Sequence, residues 1–201
     1  MRPDYQSLSK CFCQNIDASD TNAKPKTRLL GGNTPSQIQS PMQLDIDEQG
    51  NLTMKTATGG WQQGMWVHYE AAKATYGIAQ PGQMWAASGP FSGCHLSIGI
   101  KSGSIYVAHI AKPGDEAEQQ WGGKGNGWEE WGRIKIGLAK QGDPVYHSSI
   151  VFVDWFGGAS PENIKITRVE YLSQCMGGID NAPMKVREVK QIPLIKASNW
   201  K

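Results

Sequence analysis

The stretch Ser88-Gly89-Pro90-Phe91-Ser92-Gly93-Cys94-His95-Leu96-Ser97-Ile98-Gly99-Ile100-Lys101-Ser102-Gly103-Ser104-Ile105-Tyr106-Val107-Ala108-His109-Ile110 decides how the chain is read. Two apolar runs flank Lys101-Ser102-Gly103-Ser104, the signature of a β-hairpin turn. A loop of two or four residues sets Ile100 against Ile105, Ile98 against Val107 and Leu96 against His109. Side chains alternate with period two, so Cys94, Leu96, Ile98 and Ile100 then share a face with Ile105, Val107 and His109. Cys94 and His109 become diagonal neighbours at the open end, with Cα atoms roughly 7–8 Å apart. A three-residue loop would turn His109 to the opposite face.

Working outward, the apolar residues keep arriving in short runs cut by Gly, Pro, Asn and Asp, a pattern of many strands joined by turns. The runs predict strands at 43–47, 51–57, 64–69, 94–100, 104–110, 132–138, 145–153, 164–172 and 184–195. Helical signals are short: 70–76 is rich in helix formers, and 115–121 has an acidic first turn. The fold class expected is α+β, a strand-rich β-sandwich with a few peripheral helices. Residues 1–41 carry polar residues and four prolines with little periodicity and are expected to form an irregular N-terminal arm, leaving 42–201 as the compact domain.

The 201 residues and 22.0 kDa suit one sizeable core, with 39% hydrophobic and 19% charged residues. No run approaches the ~18 apolar residues that a membrane-crossing helix requires, so no membrane span is expected. A formal charge of +2 argues against a phosphate-tracking surface, and no nucleic acid partner is expected. The N-terminal residues lack the apolar middle of a secretory signal. Four cysteines, Cys11, Cys13, Cys94 and Cys175, are too few for a disulfide scaffold. Synthesis in a reducing cytosol follows.

The pairing of Cys94 with His109 carries chemistry. A thiolate is a strong nucleophile, and a neighbouring imidazolium stabilises it; the same histidine serves as acid for a leaving group and base for water. Gly93 permits a tight backbone entry beside the sulfur. The amide of Cys94, with that of Gly93, is placed to meet an oxyanion. His95 points to the other face of its strand. Cys175 has no histidine nearby in sequence and reads as structural, and Cys11 and Cys13 read as surface thiols.

Other motifs read blandly. Gly122-Gly123-Lys124-Gly125-Asn126-Gly127 lacks the Ser or Thr that a phosphate loop places after its lysine. Trp121, Trp128 and Trp131 suit core packing or a flat contact area for a partner. The charged C-terminal run with Lys185, Arg187, Glu188, Lys190 and Lys196 reads as a solvated strand face.

Ser92-Gly93-Cys94, followed fifteen positions later by His109, resembles the catalytic core of the cytotoxic necrotizing factor deamidases and the similar Burkholderia lethal factor. The window of resemblance is roughly 88–110. That family's motif reads Leu-Ser-Gly-Cys, so Phe91 departs from it. In the lethal factor and the chemotaxis-receptor deamidases a threonine six residues before the cysteine orients the histidine, and Ser88 stands there. The resemblance implies a β-sandwich-centred fold and a protein-glutamine deamidase toxin or effector, with Cys94, His109 and Ser88 catalytic and no metal or organic cofactor. It further implies a host protein substrate, a monomer, and a bacterial origin with signal-independent delivery into a host cytosol. Transglutamination by the same site, a cysteine peptidase or amidase, and a non-catalytic Trp-rich β-sandwich binding module remain the alternatives.

Overall fold

The computed structural model describes residues 1–22, 33–57, 64–112, 115–137, 146–173 and 184–196. Its architecture follows from thirteen short strands in two sheets. The strands are β1 (Asn15–Asp17), β2 (Ser36–Gln37), β3 (Gln39–Ile46), β4 (Leu52–Thr56), β5 (Gly64–His68), β6 (Ala74–Ile78), β7 (Trp85–Phe91), β8 (His95–Lys101), β9 (Ser104–Ile110), β10 (Trp128–Lys135), β11 (Tyr146–Asp154), β12 (Lys165–Ser173) and β13 (Met184–Ile192), with helices α1 (Tyr5–Ser9) and α2 (Asp115–Gly122). The chain is therefore strand-rich with few helices, as expected.

The expected plain sandwich is corrected. The first sheet closes into an eight-stranded barrel in the order β1-β13-β12-β11-β7-β5-β3-β4, and a five-stranded sheet in the order β10-β8-β9-β6-β2 lies beside it. Closure removes both edges of the larger sheet, which otherwise present unpaired backbone groups. The closing element is β1, antiparallel to β13 and parallel to β4. In place of an irregular arm, the described part of residues 1–41 holds α1, β1, β2 and the start of β3. Asp4 caps α1 through its side chain, while Leu8, Cys11 and Ile16 join the barrel core. Polar composition hid this segment because only a few of its residues face inward.

Two further expectations fail for physical reasons. The helix formers at 70–76 instead make a turn, with Ala72 at φ 58, leading into β6. Residues 74–78 bury Ala74, Thr75 and Tyr76 between β9 and β2, and that tertiary burial overrides weak propensity. β7 was missed because Gly89 and Pro90 punctuate it; the Gly89–Pro90 peptide is cis.

The hairpin has the two-residue loop. Ser102 and Gly103 both have positive φ, 50 and 83, and the register pairs Ile100 with Ile105, Ile98 with Val107 and Leu96 with His109. Cys94, Leu96, Ile98, Ile105 and Val107 accordingly pack in one cluster with Met65, Val67, Ala86, Val151 and Val153 of the barrel. That face of the small sheet is what the barrel covers. Its other face holds α2 and the Tyr76, Tyr106 and Trp121 cluster.

Candidate active site

The site lies where the covered face of the small sheet meets the barrel, and each wall contributes one part. β9 supplies His109 and β7 supplies Ser88, both fully buried; Cys94 enters just before β8 and is 5% exposed. Gly93 has φ 127, in the left-handed region that favours glycine, which explains why the residue before Cys94 has no side chain.

Hydrogen bonding fixes the imidazole. The Ser88 hydroxyl donates to the Val67 carbonyl at 2.8 Å, and Ser88 Oγ lies 2.9 Å from His109 Nδ1. A hydroxyl has one proton. With that proton committed to Val67, Oγ accepts, so Nδ1 carries the hydrogen and Nε2 carries the lone pair. Among the described residues Nε2 is buried without a hydrogen-bond partner, an uncommon and costly state for a polar atom. Phe91 stacks on the same ring, centroids 3.9 Å apart and 6° from parallel, and Tyr69 tilts against it at 5.0 Å.

Burial governs the charges. With no charged partner nearby, desolvation pushes His109 down to about 3. Burial likewise pushes the Cys94 thiol up, opposed by backbone hydrogen bonds with Lys112 and Ser92 and by the Lys112 charge. Burial thus favours the neutral form of both groups over the thiolate–imidazolium pair that the sequence reading supposes. The neutral imidazole keeps its lone pair on Nε2.

Of the residues singled out in the sequence, Ser88 and His109 are in contact across the two sheets; Cys94 lies on the same face of the small sheet as His109 by register and makes no hydrogen bond to its Nε2. His95 points away, its Nδ1 2.7 Å from Glu118, which also binds Arg133. Cys11 is buried in the barrel core rather than a surface thiol, its pKa pushed by burial and the Asp47 charge up to about 11, while Cys13 is exposed. Cys175 lies outside the described residues.

Trp121 and Trp131 are buried and Trp128 is half-buried, its ring edge-on to Tyr76, Tyr106 and Trp121. Among the described tryptophans little flat surface is left for stacking. Two surface cavities, one bordered by Met1, Asp45 and Trp85 and the other by Ile164, Ile166 and Leu194, include none of the site residues.

Sequence reasoning missed Val67, Tyr69 and Lys112. Val67 acts through its backbone across the parallel β5–β7 pair, a non-local pairing that leaves no motif. Phe91 was visible, but only as a departure from a pattern.

Among the described residues no cluster of three or more His, Cys, Asp or Glu is arranged to hold a metal ion, and no helix is long and apolar enough to cross a membrane. No family model matches the chain, and no curated protein matches it. Among solved structures it is similar to the C-terminal domain of CNFy from Yersinia pseudotuberculosis, with 10% identity over 77% of this chain and 71% of that one and a TM-score of 0.38.

Proposed function

We propose that this protein is a cysteine-dependent protein-glutamine deamidase, a toxin or effector acting on a target protein inside another cell. One observation carries the reading: a buried His109 Nε2 without a partner, on an imidazole whose Nδ1 is tied to Ser88, on the sheet face that also bears Cys94. A merely structural histidine has both nitrogens satisfied.

The chemistry runs from neutral groups. As Cys94 sulfur attacks the glutamine carboxamide carbon, the thiol proton passes to His109 Nε2, and the imidazolium forms only then. Ser88 holds the ring so that the charge develops facing the substrate. The amides of Gly93 and Cys94 stabilise the oxyanion. The carbon–nitrogen bond breaks as His109 returns the proton to departing ammonia, leaving a thioester. Water, deprotonated by His109, attacks that thioester; sulfur leaves and regains its proton. The sum is glutamine plus water giving glutamate plus ammonia. An amine in place of water makes the same site a transglutaminase.

The test exposes host-cell lysate to wild type and to Cys94→Ser and maps glutamine-to-glutamate changes by mass spectrometry. A site converted by wild type and spared by Cys94→Ser supports the reading. No converted site in wild type, or equal conversion in both, contradicts it.

A further inference from the structure

We propose that Tyr69 is the gate of this site, the side chain that decides how wide a group can reach Cys94. The inference rests on Cys94 being a nucleophile, which the proposed function also needs, but not on the reaction being deamidation.

The argument begins with closure. Ser88, Phe91 and His109 are fully buried and Cys94 is 5% exposed, so nothing bulky reaches the sulfur with every side chain in place. Of the two rings and one hydroxyl set against the imidazole, Phe91, Tyr69 and Ser88, Tyr69 alone is partly exposed. It belongs to two packing groups at once: it lies against the inter-sheet cluster that holds Cys94 and against the outer cluster of Tyr76, Tyr106 and Trp121. Its ring therefore spans the border between the covered interior and the surface. The tilt of 47° and the 5.0 Å separation from His109 mark a looser contact than the parallel stack that Phe91 makes on the same imidazole at 3.9 Å.

Its place in the chain suits movement. Tyr69 follows the last residue of β5 and opens a tight turn to β6, closed by the Lys73 N–H on the Glu70 carbonyl. Phe91, by contrast, is the last residue of β7 and is paired with Ser149 of the barrel. Rotating Tyr69 about its χ1 swings a partly exposed ring toward solvent, whereas Phe91 is fully buried in its stack on His109. Burial, with the charges of Cys94 and Glu70, pushes the Tyr69 phenol up.

The test compares Cys94 alkylation by a slim reagent, iodoacetamide, with a bulky one, a fluorescein-linked maleimide, each followed at Cys94 by peptide mass spectrometry. In wild type the slim reagent is favoured. Tyr69→Ala is expected to raise the bulky reagent's rate at least tenfold and the slim reagent's much less, while Tyr69→Phe keeps the wild-type ratio because a ring of the same width remains. Tyr69→Trp supplies an independent arm if the alanine variant fails to fold: it is expected to slow both reagents. An unchanged ratio in Tyr69→Ala, an open site in Tyr69→Phe, or a Tyr69→Trp as reactive as wild type overturns the gate. These rates require no deamidase activity, so a failed search for converted glutamines leaves them readable.

Discussion

Phe91 and His109 lie face to face, ring centroids 3.9 Å apart and 6° from parallel, with Phe91 on the last position of β7 and His109 one residue from the end of β9. The stack joins the barrel to the small sheet at the point where Ser88, three residues before Phe91, holds His109 Nδ1. One strand of the barrel thus fixes the imidazole twice, by a hydrogen bond in its plane and by a ring against its face.

Replacing Phe91 by Leu, the residue of the Leu-Ser-Gly-Cys pattern, keeps an apolar group of similar volume and removes the stack. An aromatic pair is worth about 0.5–1.5 kcal/mol beyond its area, so thermal unfolding should register a loss of about 1 kcal/mol, against about 3–5 kcal/mol for Phe91→Ala. An alanine variant as stable as the leucine variant would show that the ring contributes little here.

Ser88→Ala removes the acceptor for Nδ1–H and the donor for the Val67 carbonyl together. Leaving buried polar groups unpaired costs about 1–3 kcal/mol each, and the ring loses the partner that sets its tautomer. Glutamine conversion should fall about tenfold or more, with Ser88→Thr recovering much of it because the hydroxyl returns. A serine-to-alanine variant at full activity would remove Ser88 from the site.

How much of this was legible in the sequence differs between the hairpin and the rest. The turn at Ser102-Gly103 and the alternation on each side fix a local register, and the Cys94, Leu96 and His109 alignment follows from it. The barrel does not follow, because its closing contacts join β1 to β13 and β4 across most of the chain, and no local pattern encodes such pairings. Ser88 came into view through the family resemblance and not through any local pattern, since its contact with His109 crosses between the two sheets. Charge states were not: the neutral thiol and imidazole depend on how completely two sheets exclude water, and the Tyr69 contact depends on a turn that local composition presents as a helix.

Acid should destabilise the fold through its buried histidines. Burial lowers His109 to about 3 and His68 to about 4 from an ordinary value of 6.5. The unfolded chain therefore binds more protons than the folded one below about pH 6.5, and stability, complete above that value, falls as pH drops toward the folded values. Each histidine contributes a slope of at most ~1.4 kcal/mol per pH unit. Urea midpoints measured from pH 7.5 to 5.5 should decline; a flat or rising series would show that the imidazoles are not held neutral.

Gly93 at φ 127 resists any side chain. Gly93→Ala is expected to cost about 1–3 kcal/mol from backbone strain and to lower Cys94 reactivity by displacing the sulfur. An alanine variant with unchanged melting temperature and reactivity would show that the backbone at this point relaxes freely.

The central claim is that His109 Nε2 takes the proton of Cys94, and the rate of Cys94 alkylation by iodoacetamide at neutral pH, in wild type and in His109→Gln, reads it most directly. The claim predicts a rate at least tenfold lower in His109→Gln, with near-ultraviolet circular dichroism unchanged. Equal rates in two folded proteins would mean that the thiol reacts without the imidazole, and the pair would not be a catalytic one.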